Sequence, residues 1–377
     1  MIDRRLFSLG LGATVLSACT NAASTSAPKT RMQSVPNAGW DAWVSGFQGR
    51  AERQGISAQT IDRAFRGAGY LPGVIERDRN QTEFTRSLED YLAIAASDER
   101  ISMGRQMLQK HGQLLSRIES AYGVEKEVVT AVWGLESRYG QRRGDVPVIS
   151  ALSTLAYDGR RGAFFESQLV AALKILQNGD TTPDNMTGSW AGAMGHTQFI
   201  PTSYLAYAVD FTGDGRRDIW SDNPADALAS AAAYLKRSGW VFGQPWGGEV
   251  GSAAANSRTP SAIIQPQSPG PKFAVFRNFS VIKRYNNSDK YAIGVGHLSD
   301  RIAGAGPLKT PFGPDANGLT LNDRKELQQR LIKAGYDTKG ADGVIGSNST
   351  AAISAYQRDN GLPVTGTPSM ELLQRLR

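Results

Sequence analysis

The chain has 377 residues, of which 40% are hydrophobic and 20% are charged, and its formal net charge is +7. This balance predicts a folded protein with more than one domain, and the basic excess suits an anionic partner such as lipid headgroups or an acidic cell-wall polymer. The sequence holds neither a zinc-type Cys/His cluster nor a nucleic-acid-binding motif, so we expect no nucleic acid among its partners. Its single cysteine excludes a disulfide bond within the chain.

Residues 1–19 have the pattern of an export signal. Arg4 and Arg5 precede an apolar run at 6–16, and small residues follow up to Cys19. A basic start, a short apolar core and small residues before a cleavage site are typical of secretory signals, and such a run is too short to span a bilayer. The tetrapeptide Leu-Ser-Ala-Cys at 16–19 resembles a bacterial lipobox, in which the cysteine is lipidated and becomes the mature N-terminus. The alternative is an ordinary signal peptide that happens to contain a cysteine.

These features predict a lipid anchor on the periplasmic side of the cell envelope. We expect a signal peptide at 1–18, lipidation at Cys19 and a tether at 19–34, because the residues after Cys19 are small and polar without an apolar period. Thr20 follows the cysteine where lipoproteins of the inner membrane carry Asp. By this resemblance to lipoprotein sorting rules, the outer membrane is favoured.

From Trp40 onward the apolar spacing predicts a largely helical chain. Trp40, Val44 and Phe47 fall on one helix face, and Ser57 is expected to cap the next helix. Pro201 and Pro224 predict helix starts nearby, where a missing N–H costs little. Further helices are predicted at 98–119, 125–136, 164–178, 224–239 and 288–303.

Two regions depart from the helical pattern. Residues 241–285 are rich in Gly, Pro and Ser and include short β-like runs, which predicts an irregular insert with a few strands. Glycine and proline at 304–316 predict a linker. The last segment, 317–377, carries apolar residues at helical spacing and glycine-rich turns, so we expect a compact unit of three helices with a small core.

Glu136 is the candidate catalytic residue. It ends the apolar helical run 128–133 and is flanked by Gly134 and Gly140, which let another segment approach closely. A carboxyl group in an apolar, partly dry pocket has its charged form disfavoured and can act as a general acid at neutral pH. Cleavage of a glycosidic bond requires such a group. The alternative is a helix-end glutamate that forms an ion pair with Arg138.

The segment 188–201 is a candidate ligand-binding surface. Its glycines and alanines leave room for a ligand to lie against the backbone, and Ser189 and Gln198 offer hydrogen bonds to a sugar hydroxyl or N-acetyl group. Close packing of helices is an equally good interpretation of the small residues. His196 could act as a base, but no Ser or Cys stands at a spacing that would complete a triad.

Residues 210–221 have the oxygen spacing of an EF-hand loop, with Gly215 at the sixth place. The twelfth place is Ser221 instead of Glu, and Asp222 and Asp226 are possible substitutes. We therefore predict weak calcium binding, the alternative being a solvated acidic turn. The other candidate ligands are Asp210, Thr212, Asp214 and Arg216, the last through its backbone oxygen.

Three segments together resemble the lytic murein transglycosylase B family. They are Leu-Glu-Ser-Arg-Tyr-Gly at 135–140, Ala-Gly-Ala-Met-Gly-His-Thr-Gln-Phe-Ile-Pro at 191–201 and Arg-Tyr-Asn-Asn-Ser-Asp-Lys-Tyr-Ala at 284–292. The resemblance covers residues 37–303. The C-terminal segment is similar to the helical peptidoglycan-binding domain through Leu327-Gln328, Gly-Val-Ile-Gly at 343–346 and Ala-Tyr-Gln at 355–357.

This resemblance implies a mainly α (α+β) fold with a lysozyme-like helical catalytic domain at 35–303, including the small β-containing insert. The linker 304–316 would join it to a three-helix peptidoglycan-binding domain at 317–377. The expected substrate is the glycan strand of peptidoglycan, cut at the MurNAc–GlcNAc β-1,4 bond without water to leave a 1,6-anhydro ring. No cofactor is expected for catalysis, and a structural Ca²⁺ is implied at the 210–226 loop.

The resemblance also assigns roles to individual residues. Glu136 would be the acid and then the base. The implied substrate-binding residues are Arg160, Arg161, Ser189, Gln198, Tyr285, Asn286 and Tyr291. A hydrolase would need a second carboxylate, for which Asp158 is a candidate from sequence alone, whereas the family reaction requires none.

Two other functions remain open at this point. A hydrolytic muramidase would cut the same bond with water, and a catalytically silent scaffold would only bind the cell wall. Glu136 and Gln198 argue against the scaffold because both stand intact in their motifs. Cell-wall synthesis proteins are possible partners of any of the three.

Overall fold

The computed structural model describes residues 32–80 and 86–377, so the predicted signal peptide and Cys19 lie outside the described residues. The described part is mainly helical with a few short strands, which confirms the predicted fold class. None of its helices combines the length and the apolar character needed to cross a bilayer. The helices are α1 (Ala38–Arg53), α2 (Ala58–Phe65), α3 (Pro72–Arg79), α4 (Leu88–Ala95), α5 (Asp98–Lys110), α6 (Gly112–Tyr122), α7 (Lys126–Ser137), α8 (Val148–Asp158), α9 (Gly162–Asn178), α10 (Pro201–Tyr207), α11 (Ala225–Arg237), α12 (Ala253–Asn256), α13 (Arg277–Tyr285), α14 (Asp289–Ile302), α15 (Leu321–Lys333), α16 (Ser347–Asp359) and α17 (Met370–Leu376).

Local signals in the sequence set many of these helix ends. The Ser57 hydroxyl accepts the backbone N–H of Thr60 and so caps α2 as predicted. Pro201 is the first residue of α10, and Pro224 directly precedes α11, as predicted. The helix predicted at 98–119 is instead two helices, because the chain leaves helical geometry at His111 before α6 begins.

Two apolar cores support the larger part of the chain. In the first, α8 and α9 pack together with α1, α2, α3 and α10 around side chains such as Phe47, Leu152 and Leu173. In the second, α7 packs against α5, α11 and α14 around Val132 and Ile293. The chain segment 138–147 leads from α7 to α8 and so connects the two cores, which leaves the C-terminal end of α7 beside the boundary between them.

The strands of the described residues form two small antiparallel sheets. β1 (Val146–Pro147) pairs with β2 (Thr187–Gly188). β3 (Gly247–Glu249), β5 (Phe273–Val275) and β4 (Ala262–Ile264) form the second sheet in that order. This sheet confirms the strand-containing insert, although the end of that region, Arg277–Tyr285, is the regular helix α13.

The C-terminal segment forms the predicted three-helix unit. α15, α16 and α17 surround a core of Leu319, Leu327, Leu331, Ile353 and Leu373. The Thr320 hydroxyl and the Asp323 carboxylate cap α15 reciprocally.

Candidate active-site cleft

A cleft of about 510 Å³ opens beside the C-terminal end of α7. Its walls come from α4, α5, α7, the 188–198 segment and the α13–α14 junction. Six residues that the sequence singled out lie together here: Glu136, Ser189, Gln198, Tyr285, Asn286 and Tyr291. Among the described residues that line this cleft, Glu136 is the one that carries a carboxyl group.

The chain around Glu136 is held by close packing at the end of α7. Arg138 and Tyr139 follow with φ of 51° and 57°, a left-handed conformation that side chains rarely adopt. This turn folds the Tyr139 ring back onto Gly134, where an added Cβ would come within 2.6 Å of the ring. The Tyr139 hydroxyl donates to the backbone oxygen of Arg100 over 2.8 Å. The glycine beside Glu136 therefore admits a buried tyrosine that fixes the end of the helix.

Tyr291 orients the carboxyl group of Glu136. Its hydroxyl donates to Glu136 Oε1 over 2.6 Å, and the residue is 4% exposed. Burial, and then the negative charge of Glu136, raise the pKa of Tyr291 well above its usual range, so the phenol keeps the proton it donates. Tyr285 stacks on Tyr291 with ring centroids 6.3 Å apart and donates to the backbone oxygen of Thr197 over 2.7 Å. The two tyrosines thus form one ordered wall.

Ser189 and Gln198 lie in a tightly packed segment across the cleft. The Gln198 side-chain amide donates to the backbone oxygens of Arg143 at 2.9 Å and Gly195 at 2.8 Å, while its own φ is 52°. The Ser189 hydroxyl accepts the backbone N–H of Ala193 over 3.1 Å. Two carbonyls therefore fix the amide of Gln198 at the cleft, and the turn fixes Ser189.

The small residues of this segment serve close packing. An added Cβ at Gly188 would meet the backbone oxygen of Ala193 at 2.2 Å, and one at Gly192 would meet Leu152 at 2.5 Å. The packing interpretation therefore accounts for these glycines. Ligand binding by the Ser189 and Gln198 side chains at the cleft remains a prediction.

Asn286 lies at the rim of the cleft, just after α13, with its side chain exposed. The other predicted substrate ligands, Arg160 and Arg161, do not line the cleft. Their guanidinium groups bind the carboxylate of Asp78 at 2.6 and 2.7 Å. Burial alone would raise the pKa of Asp78, but the two cations hold it below its usual value. Contact of this arginine pair with substrate remains a prediction.

Asp158, the candidate second carboxylate, also lies away from the cleft. It ends α8 and pairs with Arg79 at 2.8 Å. Asp158 therefore does not supply the second carboxylate that a two-carboxylate hydrolase uses.

Sequence reasoning missed the wall formed by α4 and α5. Arg86, Tyr91, Ile94, Ala95 and Arg100 line the cleft from this side. A helix at 98–119 is predicted, but α4 is not, although a capping serine marks the start of each helix. Ser87 accepts the N–H of Asp90, and Ser97 accepts that of Arg100. No motif, however, connects these helices to Glu136 in the sequence.

His196 has a supporting position and forms no triad. Its Nδ1 accepts the indole N–H of Trp133 over 3.1 Å, so its Nε2 carries the proton and donates to the backbone oxygen of Ser221 over 2.7 Å. Burial lowers its pKa. The ring therefore joins α7 to the 210–221 loop.

The acidic loop brings three carboxylates together. Oxygens of Asp210, Asp214 and Asp226 lie within 4.8 Å of one another. Asp226 is 2% exposed and accepts backbone N–H groups of Phe211 and Asp218, one from each half of the loop. Hard oxygen ligands at this spacing fit Ca²⁺.

The other predicted ligands surround this cluster or turn away from it. The Thr212 hydroxyl donates to Asp210 over 3.3 Å, and the Arg216 N–H donates to Asp214. Asp222 pairs with Arg143 and its side chain is 96% exposed. Of the two candidate substitutes for the twelfth place, Asp226 thus joins the cluster and Asp222 does not.

The helical fold, with one glutamate held at a cleft between two cores, has the architecture of the lysozyme-like class. Within that class the chain belongs to the transglycosylase SLT family, whose model matches residues 39–268 and 251–300. Residues 320–376 match the model of a putative peptidoglycan binding domain. The family inferred from the three motifs is therefore confirmed.

The chain is similar to lytic transglycosylases in sequence and in structure. The chain is 32% identical over 239 residues to membrane-bound lytic murein transglycosylase B of Escherichia coli (strain K12), a match that covers 54% of this chain and 64% of that relative, less than two thirds of its length. A crystal structure of SltB3 from Pseudomonas aeruginosa in complex with NAG-anhNAM-pentapeptide superposes with a TM-score of 0.69 at 42% identity, covering 90% of this chain and 100% of that one. The Escherichia coli lytic transglycosylase Slt35 in complex with calcium gives 0.59 at 27% identity, covering 73% and 96%.

Proposed function

We propose that this protein cleaves the MurNAc–GlcNAc β-1,4 bond of peptidoglycan without water and leaves 1,6-anhydroMurNAc ends. The observation that carries the proposal is the cleft carboxyl group of Glu136, held by Tyr291 at 2.6 Å and flanked by Ser189 and Gln198. The SltB3 complex with a NAG-anhNAM-pentapeptide supports it, because an anhydro sugar is the product of this reaction.

In the proposed reaction one carboxyl group transfers a proton twice. Glu136 protonates the glycosidic oxygen as the bond from C1 breaks, and the GlcNAc hydroxyl leaves. The resulting carboxylate then removes the proton from the C6 hydroxyl of MurNAc as that oxygen bonds to C1. The N-acetyl group supports the positive charge at C1 in between. Glu136 ends the cycle protonated, so a second carboxylate is not required.

Mass spectrometry of digested peptidoglycan tests this reaction. An anhydro product is lighter by one water than the reducing-end product of a hydrolytic muramidase. Anhydro ends would support the proposal, whereas reducing ends would establish the muramidase. Intact glycan strands bound to the protein would establish the silent scaffold.

The acidic loop is proposed as a structural Ca²⁺ site without a catalytic role. Asp210, Asp214 and Asp226 would supply carboxylate oxygens, Thr212 its hydroxyl and Arg216 its backbone oxygen. The calcium complex of the relative Slt35 supports this assignment. Loss of the cation would loosen the segment that contacts His196.

The proposed location is the periplasm, with a lipid on Cys19 that anchors the chain to the outer membrane. The relative from Escherichia coli is a membrane-bound transglycosylase, which supports attachment to a membrane. The C-terminal unit would attach to glycan strands. Cell-wall synthesis proteins remain candidate partners.

A further inference from the structure

The C-terminal unit, residues 317–377, is joined to the catalytic part by a buried arginine. Arg324 on α15 is 3% exposed, and its guanidinium reaches Glu89 at 2.8 Å and Asp90 at 2.9 Å on α4. Glu89 is itself 7% exposed. A buried ion pair of this kind holds its partners firmly, because removal of one charge leaves the other buried and unpaired.

The same guanidinium also holds the C-terminal unit. It donates to the backbone oxygens of Gly343 at 2.7 Å and Leu319 at 3.2 Å, and it pairs with Asp315 at 3.1 Å. Arg324 therefore bonds to α4, to the preceding segment and to its own domain at once. A planar guanidinium can do this because it presents five N–H donors in fixed directions.

The segment 304–316 reinforces this contact. The carboxylate of Glu249 accepts the backbone N–H groups of Lys309 at 2.7 Å and Thr310 at 2.6 Å. Phe312 packs against the second core. The residues predicted as a linker thus lie against the catalytic domain and hold the C-terminal unit close to α4.

α4 is also a wall of the cleft. Tyr91, Ile94 and Ala95 line the cleft within one to two turns of the residues that bind Arg324. The N-terminus of α4 is also supported by its Ser87 cap and by the side-chain oxygen of Gln267, which accepts the N–H of Glu89 over 2.9 Å. α4 also packs on α14, the helix of Tyr291, but the carboxyl group of Glu136 is held by α7 and by the Tyr291 hydroxyl rather than by a residue of α4 near Arg324.

We propose that Arg324 is a positioning residue for glycan binding, through which the C-terminal unit sets the place of α4 in the cleft wall. This inference rests on the proposed function for its substrate. It gives the C-terminal unit a role in the cleft beyond attachment to the cell wall.

The test compares full-length variants on soluble glycan fragments. Arg324→Met keeps an apolar stem but removes the charge, and Arg324→Lys restores a charge that can reach Glu89 and Asp90 but not all the other acceptors. Arg330→Met is the matched control, since Arg330 pairs with Glu326 inside the C-terminal unit. Asp90→Asn weakens the same contact from the side of α4. Because Asp90 is partly exposed, this variant should fold even if Arg324→Met does not.

We expect KM to rise about tenfold for Arg324→Met, equivalent to about 1.4 kcal/mol, with kcat within about twofold of the wild type. Asp90→Asn should change KM in the same direction, Arg324→Lys should recover part of the loss, and Arg330→Met should match the wild type. A folded Arg324→Met variant, or failing that Asp90→Asn, with wild-type KM would overturn the proposal.

Hydrogen exchange of the amides in α4 gives a second readout that needs no substrate. Exchange at 88–95 should be faster in Arg324→Met and unchanged in Arg330→Met. Unchanged exchange in α4 would refute the positioning role, since an effect confined to the C-terminal unit would not reach this helix. Failure of the proposed function is distinguishable, because it would appear as the absence of anhydro products from the wild type.

Discussion

The hydroxyl of Tyr291 donates to Glu136 Oε1 over 2.6 Å, joining residues 155 positions apart in the sequence. α14 contributes the phenol and α7 the carboxyl group, and these two helices pack directly on each other. The orientation of the proposed catalytic group is therefore set by a helix contact in the core of the domain.

Glu136→Gln should lower cleavage at least about a thousandfold, because an amide keeps the shape of the side chain but cannot shuttle a proton. Binding to insoluble sacculi should stay at the wild-type level. The measurements are a muropeptide assay and a pelleting assay on the same preparation. Turnover close to that of the wild type would show that another group performs the chemistry.

Tyr291→Phe should lower kcat about tenfold to a hundredfold, since a hydrogen bond to a charged group contributes about 1.5–3 kcal/mol. KM should change less, because the ring that stacks on Tyr285 is retained. Tyr336→Phe is the matched control, as Tyr336 bonds to Asp359 in the C-terminal unit. Equal kcat in the two variants would exclude an orienting role for Tyr291.

The sequence predicted one side of the cleft much better than the other. Glu136, Gln198 and Tyr291 lie in motifs that identify them residue by residue. α4 carries no such motif, and its contact with Arg324 spans more than 230 positions. Apolar spacing reports which face of a helix is buried but not which distant helix covers it.

The linker shows a second limit of sequence reasoning. Its glycines and prolines correctly predict the absence of helix and strand at 304–316, but composition does not reveal that Glu249 binds two of its N–H groups. The arginine pair 160–161 shows a third limit of prediction from the sequence. Arg160 and Arg161 bind Asp78, a partner from another helix that spacing could not indicate.

Cys19→Ala should release the protein from the membrane fraction, because Cys19 is the single cysteine of the chain and ends the predicted export signal. Fractionation followed by detection of the protein measures this effect. Mass analysis of the wild-type N-terminus provides the control. An unmodified Cys19 in the mature protein, or membrane association of the variant equal to that of the wild type, would contradict the lipid anchor.

Millimolar-scale calcium should raise the melting temperature of the protein. The carboxylates of Asp210 and Asp214 repel each other in the absence of a cation, and binding to the folded state alone stabilises it. For a protein of this size we expect about 1–2 °C for each kcal/mol of binding free energy. Cleavage activity should not require the cation.

Matched variants distinguish calcium binding by this loop from a general effect of calcium on a charged protein. The shift on adding calcium after a chelator should disappear when Asp210→Ala and Asp214→Ala are combined. It should persist in Asp222→Ala, whose carboxylate pairs with Arg143 outside the cluster. No shift in the wild type would leave the loop as an acidic turn.

Asp300→Asn should stabilise the protein at neutral pH. Burial raises the pKa of Asp300 to about 6 from its usual 3.8, with partial compensation by the indole N–H of Trp246 at 3.0 Å. Between these two values the folded protein holds a proton that the unfolded chain has released, so the free energy of unfolding falls as pH rises through this window. An asparagine can still accept from Trp246 but does not ionise.

We therefore expect the variant and the wild type to be similarly stable near the usual pKa of aspartate. As pH rises to 7, the free energy of unfolding of the variant should exceed that of the wild type. Allowing for partial exposure of the carboxyl group, the gain is about 2 kcal/mol. Burial lowers the pKa of His297 to about 4, so the free energy of unfolding also falls as pH drops from 6.5 toward 4. This contribution is the same in the variant and in the wild type. Urea unfolding at several pH values measures the difference. A difference that is constant across this range, or a variant less stable than the wild type at pH 7, would show that Asp300 is not destabilising in its charged form.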